Sequence, residues 1–277
     1  MQEQARGIVR KMAARLEPTV AYALRLGEES VAANPLIGSP LRLEFSGSIF
    51  CVNCSRKTNK SFNQGFCYPC FQKLAACDSC IVHPERCHFD QGTCREPAWG
   101  EQFCMQDHIV YLANSSGLKV GITRATQVPT RWIDQGASQA LPIFRVSSRL
   151  QSGAVEVVFK QHVADKTNWR ELLKGDAAPL DMSAERERLV AACQDELAEL
   201  RSVYGDFAIN EINGVDTYSI SYPVTEYLEK IVSHNFDKEP VVEGETTGQS
   251  TSSAKGATGA HTAQEYMRSR RAQPGSA

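Results

Sequence analysis

Residues 109–169 decide how this chain is read: IVYLANSSGLKVGITR (109–124), then PTRWIDQGASQALPIFRV (129–146), then QSGAVEVVFKQHVADKTNW (151–169). Alternating apolar residues predict two short strands, 109–113 and 118–122, joined by the polar, glycine-containing loop Asn114-Ser115-Ser116-Gly117 of a hairpin. PTRWIDQGA reads as helix and LPIFRV as strand. In the next segment Val155, Val158, Phe159, His162 and Val163 recur at three- and four-residue steps, which places them on one buried stripe of an amphipathic helix with Glu156 beside it.

Strand, strand, helix, strand, helix is an order that resembles the GIY-YIG endonuclease superfamily, above all the branch whose second triplet begins with Lys. Val110-Tyr111 stands at the end of the first triplet, Lys119-Val120-Gly121 at the second, Arg131 on the following helix, Glu156 on the next, and Asn168 twelve residues further on. The resemblance covers about sixty residues. It implies metal-dependent phosphodiester hydrolysis of DNA or RNA. Glu156 would hold one Mg²⁺ or Mn²⁺ ion, Arg131 would neutralise developing charge, Tyr111 would deprotonate water directly or through a relay, and Asn168 would organise the site. Two positions depart from the pattern. Ile109 replaces the glycine of the first triplet, and Lys119 can bind phosphate as a point charge but cannot relay a proton as a phenol does. An alternative is a fold that binds nucleic acid without turnover, with Lys119, Arg124 and Arg131 on phosphate.

Charge is distributed accordingly. The net charge of −2 over 277 residues speaks against indiscriminate coating of nucleic acid. Residues 109–174 hold nine Lys/Arg against four Asp/Glu, a net +5, whereas residues 175–245 hold five against sixteen, a net −11. The basic excess thus coincides with the nuclease-like module, as a phosphate-binding surface requires. The acidic segment either packs against the basic one or meets a protein partner, which makes a zinc-braced adaptor a third reading.

Upstream lies a cysteine-rich stretch. Nine of the ten cysteines fall between Cys51 and Cys104, and the N-terminus lacks the apolar core of a signal peptide, so metal or redox chemistry in the cytoplasm is expected rather than a disulfide framework. Cys51-Val-Asn-Cys54 and Cys67-Tyr-Pro-Cys70 are two C-x₂-C knuckles twelve residues apart, the spacing at which four thiolates close on structural Zn²⁺. Arg56, Lys57, Lys60, Phe62 and Phe66 lie between them as a basic loop, either solvated or facing phosphate.

A second four-ligand site is expected from Cys80, Cys87, Cys94 and Cys104, with Cys77, His88 and His108 as substitutes and Cys104-x₃-His108 as a ligand pair on one helical turn. Four thiolates also suit an iron–sulfur cluster.

The remaining chain completes an α+β reading. Residues 1–50 form a β module, a small antiparallel sheet or open barrel containing strands at 20–26 and 41–45. Residues 51–108 form the cysteine-rich metal module, 109–174 the GIY-YIG-like module with its small mixed sheet and flanking helices, and 175–244 an acidic region with one helix over 181–204 in which Cys193 is a buried small residue. Residues 217–221 and 224–232 are strand-like or mixed. Residues 245–277, rich in Gly, Ser and Thr, are expected to be disordered. No apolar run approaches the roughly 20 residues that cross a bilayer, so no membrane partner is expected. Glycine-rich cofactor motifs and Ser/His/Asp signatures are missing.

Residues 1–244 as a whole, with PLIG (35–38), CYPCF (67–71), PERCH (84–88), GTCREPAWGEQFC (92–104), KVGITR (119–124), PTRWIDQGA (129–137) and DKTNWR (165–170), resemble a family of uncharacterised bacterial and archaeal proteins.

Overall fold

A computed structural model describes residues 5–63, 65–163, 172–227, 229 and 232–248. Asn168 and residues 249–277 of the expected tail lie outside the described residues. The chain divides into two units, one of Met1–Cys67, Leu173–Gly175 and Ser221–Ala277, the other of Tyr68–Leu172 and Asp176–Ile220.

In the first unit, β1 (Val9–Arg15), β2 (Ala21–Leu26) and β3 (Glu29–Ala32) form an antiparallel sheet in that order. Gly27 takes φ 64° in the two-residue turn between β2 and β3, a conformation that costs a glycine little. β4 (Pro40–Glu44) does not join this sheet, contrary to the expectation of one sheet holding 20–26 and 41–45. It pairs instead with the last strand, Val241–Glu245, from Glu44↔Val241 to Pro40↔Glu245. Arg42 bridges that pair, reaching Glu243 at 2.8 Å and Glu44 at 2.7 Å. Past the strand, the side chains of Thr246 and Thr247 are buried. A short hairpin, β5 (Ile49–Phe50) with β6 (Lys57–Thr58), leads through the first cysteine knuckle.

The second unit begins with two short helices, α1 (Tyr68–Lys73) and α2 (Pro97–Phe103), separated by 3₁₀ turns. Next come β7 (His108–Asn114), β8 (Leu118–Arg124), α3 (Thr130–Asp134), β9 (Gln139–Val146) and α4 (Arg149–Phe159), the elements expected from residues 109–169 in the expected order. β7 and β8 form the hairpin, and β9 lies antiparallel on the other side of β7 with a bulge between Val110 and Tyr111. Two short strands complete the sheet along β9: β10 (Ile209–Glu211) at one end and β11 (Tyr218–Ser219) at the other.

α4 starts earlier and stops sooner than its apolar stripe implies. Ser148 caps it by accepting from the Gln151 N–H, and the helix ends at Phe159, so His162 and Val163 lie beyond it. The expected single helix over 181–204 is two, α5 (Met182–Ala192) and α6 (Gln194–Tyr204), interrupted at Cys193. The Cys193 backbone leaves helical geometry there while its thiol stays fully buried.

Alternation along the hairpin sends Val110, Leu112 and Val120 to one face of the sheet. There they pack with Ile143 and Phe144 of β9, Val155, Val158 and Phe159 of α4, and Met182, Leu189, Cys193 and Leu197 from the acidic segment. Each large apolar side chain buried this way contributes about 1.5–3 kcal/mol. The acidic segment therefore packs its apolar side into the same core as the basic one. Tyr111, Lys119 and Gly121 occupy the opposite parity, and that is where the polar groups converge.

Candidate functional sites

The first knuckle is shaped by its backbone. After β5 the chain turns tightly at Cys51, whose N–H donates to Arg56 O at 2.9 Å while its carbonyl accepts from Ser55 N at 2.9 Å. Gly65, at φ 132°, lets the second arm approach: a Cβ there would stand 2.4 Å from the Val52 side chain. Cys67 precedes α1 and Cys70 lies within it.

The sulfurs of Cys51, Cys54, Cys67 and Cys70 all lie within 4.8 Å of one another, and Cys54 and Cys67 are 3.7 Å apart. A tetrahedral zinc with Zn–S bonds of about 2.3 Å holds its sulfurs about 3.8 Å apart, so these four residues could hold a metal ion such as zinc. The electrostatics fit the same role. Burial pushes the Cys51 thiol up, but the N–H groups of Cys54, Cys67 and Asn53 and the Cys54 side chain outweigh it and bring the thiol down to about 6. A thiolate is thereby available at neutral pH.

Of the seven further candidate ligands and substitutes, Cys80, Cys87 and Cys104 form one buried cluster with Phe89, Trp99 and Leu150. Cys77 is buried apart from that cluster. Cys104 caps the end of α2 and His108 opens β7, so they are not ligands on one helical turn as expected. His108 is buried, its Nδ1 2.7 Å from Gln106 O. A grouping not anticipated from sequence is Asp78, Cys80 and His88, with ligand atoms within 4.8 Å of one another. Here the Asp78 carboxylate already meets Arg95 Nε at 2.8 Å and accepts from Ser79 N at 2.6 Å, and His88 Nδ1 is 2.8 Å from the Thr93 hydroxyl.

The second candidate site is built around Tyr111. Its side chain is fully buried in the middle of β7, directly across from Gly121 of β8. The phenol donates to Gln135 Oε1 at 2.7 Å and also engages Arg131, and the Glu156 carboxylate lies close enough to act on it electrostatically. Trp132 meets the ring edge-on at 5.9 Å between centroids. Burial, reinforced by Glu156 and opposed by Arg131 and Gln135, pushes the phenol up to about 12, so it keeps its proton at neutral pH.

Three sequence-distant residues, Tyr111, Arg131 and Glu156, are thus brought together. Lys119 is on the same face of β8 as Gly121, but only 5% exposed. The Glu156 side chain is 13% exposed and pairs with Lys160 Nζ at 3.2 Å. Two members of this cluster were missed in the sequence. Lys160 was legible, being four residues past Glu156 on one helix; Gln135, in the turn after α3, carries no pattern that announces it.

Among the described residues no helix is long and apolar enough to cross a membrane. A family described as "Protein of unknown function (DUF2797)" matches residues 38–253. No curated protein and no solved structure gives a significant match.

Proposed function

Taking as premise that the chain belongs to this family of proteins of unknown function, we propose that it acts on phosphodiester bonds of DNA or RNA at the Tyr111–Arg131–Glu156 cluster, in the manner of the GIY-YIG endonucleases it resembles. The observation that carries the proposal is the convergence of a phenol, a guanidinium and a carboxylate from β7, α3 and α4 on one locality. The basic excess of residues 109–174 supports an anionic polymer as substrate.

The roles follow from exposure and charge. Arg131, half-buried beside the phenol, offers a fixed fork of donors to a phosphate oxygen. Tyr111 retains its proton, and its hydroxyl orients Arg131 and Gln135 from behind. The donor set suits a Mg²⁺ or Mn²⁺ ion, which such sites bind through one or two carboxylates with substrate phosphate and water completing the shell. Glu156 would hold that ion, releasing Lys160 to the substrate. When bound, the ion supplies charge neutralisation at the phosphate and a more acidic water.

A second reading, binding without cleavage, draws support from two facts: Tyr111 has no exposed surface, and Glu156 is already paired with Lys160. Lys119, only 5% exposed, does not offer its charge to phosphate as expected, which leaves Arg131 to carry the binding. Incubating the purified chain with Mg²⁺ or Mn²⁺ on branched, single-stranded and duplex DNA and RNA separates the readings. Cleavage that Glu156→Gln abolishes supports the enzyme. Salt-dependent binding without cleavage, kept by Glu156→Gln and lost with Arg131→Ala, supports the binder. Absence of both at low salt defeats a nucleic-acid role and leaves the zinc-braced adaptor with a protein partner.

A further inference from the structure

We propose that Cys80, Cys87, Cys94 and Cys104 form a second, four-thiolate metal centre of the class that takes zinc, and that it clamps the start of the helix that carries Glu156. Cys80 sits in the 3₁₀ turn Ser79–Ile81, Cys87 follows the turn Pro84–Arg86, Cys94 precedes α2 and Cys104 ends it. Cys80, Cys87 and Cys104 share one buried cluster. The thiols of Cys87 and Cys104 hydrogen-bond to each other, and Cys80 lies within electrostatic reach of Cys87, Cys94 and Cys104.

Three features fit thiolate ligands better than packed thiols. The Phe89 N–H points at the Cys87 sulfur from two residues on, as the Asn53 N–H points at Cys51 in the first knuckle. Arg149 donates Nε–H to Cys104 Sγ at 3.3 Å while its backbone N–H donates to Cys104 O at 2.8 Å. A neutral thiol is a weak acceptor for a guanidinium, whereas four thiolates on one Zn²⁺ carry two excess negative charges that Arg149 would offset in part. Gly100 supplies the room: a Cβ there would stand 3.0 Å from Cys94 Sγ and 2.7 Å from the Phe89 ring.

The rival grouping of Asp78, Cys80 and His88 would place the ion against Arg95, which already holds the carboxylate at 2.8 Å. A cation competes poorly with a guanidinium in that position. The mechanical consequence of the thiolate set is direct. The Pro84–Arg86 turn, framed by Cys80 and Cys87, rests on α4 at Gly153, and Arg149 opens the same helix, so ligands on both sides fix where α4 begins.

Metal analysis of the full chain tests this independently of any activity on nucleic acid. Wild type is expected to bind about two zinc equivalents, with Cys51→Ser and Cys104→Ser each retaining about one. After cobalt exchange, Cys51→Ser should keep the visible bands of a tetrahedral thiolate site, and Cys51→Ser/Cys104→Ser should lose them. For wild type, where folding is not in question, mass spectrometry should find Cys80, Cys87, Cys94 and Cys104 protected from alkylation until a chelator is added.

Four results would overturn the assignment. One is a single equivalent in wild type that Cys51→Ser abolishes; another is loss of the second ion on His88→Ala with Cys104→Ser neutral. The others are a Cys87–Cys104 disulfide in the unreduced protein, and iron with broad visible absorption in place of zinc.

Discussion

Tyr111 and Gly121 face one another across β7 and β8, and the phenol ring lies over the place where a side chain at Gly121 would be: a Cβ there would stand 2.7 Å from both Cζ and the hydroxyl. The glycine of the K-V-G triplet is therefore a steric requirement of the tyrosine. Gly121→Ala should destabilise the second unit by about 1–3 kcal/mol, because the ring is enclosed and has nowhere to retreat. It should also separate the hydroxyl from Gln135. Denaturant unfolding measures the first effect. A midpoint equal to that of wild type would show that the hairpin can part without cost.

Gly153 has a comparable role on α4. A Cβ would meet Glu85 N at 2.3 Å and the Pro84 carbonyl carbon at 2.5 Å, both backbone atoms that cannot swing aside. Gly153→Ala should therefore lift α4 from the Pro84–Arg86 turn and cost about 1–3 kcal/mol, even though alanine is the better helix former by about 1 kcal/mol. Hydrogen exchange in residues 149–159 reads the result. Slower exchange than in wild type would mean that propensity outweighs the clash.

How much of this was open to a reader of the sequence depends on the range of the contact. The hairpin, α3, β9 and α4 follow from periodicities of two and 3.6 within single windows, and the knuckle from ligand spacing, all short-range information. The pairing of β4 with residues 241–245 depends on a partner some two hundred residues away and on no local pattern. Gln135 likewise becomes relevant only once β7 is laid beside α3. The break at Cys193 escaped notice because Val190, Cys193 and Leu197 keep helical spacing straight through it.

Acid sensitivity should come in part from His108. Burial, with Arg149 and Arg124 nearby and against the Gln106 carbonyl, lowers this imidazole from 6.5 to about 4. Between those values the unfolded chain binds a proton that the folded chain refuses, so stability falls as pH falls through that window. The full effect is on the order of 3 kcal/mol and is absent above the upper value. His108→Asn, which retains a donor for Gln106 O, should flatten that part of the pH profile relative to wild type. Parallel profiles from pH 7 to 4.5, compared at matched metal content, would assign the loss elsewhere.

Removing metal from the first knuckle should loosen the hairpin that leads through it. Phe50–Lys57 is the last pair of its two-stranded hairpin, and the turn beyond it contributes mainly sulfurs, so little apolar burial there replaces a lost ion. Cys51 is fully buried and Cys54 only partly, which separates two effects of substitution. Cys54→Ser removes a ligand with little loss of packing and should lower the melting temperature by roughly 10 °C, corresponding to a few kcal/mol. Cys51→Ser should lower it further by also burying a hydroxyl without a ligand to bond. Wild type dialysed against a chelator, which strips both cysteine clusters, should fall at least as far as Cys54→Ser, and added zinc should restore wild type alone. If chelation leaves the melting curve of wild type unchanged, the four sulfurs are not held together by an ion, and the packing around Cys51 must carry the knuckle unaided.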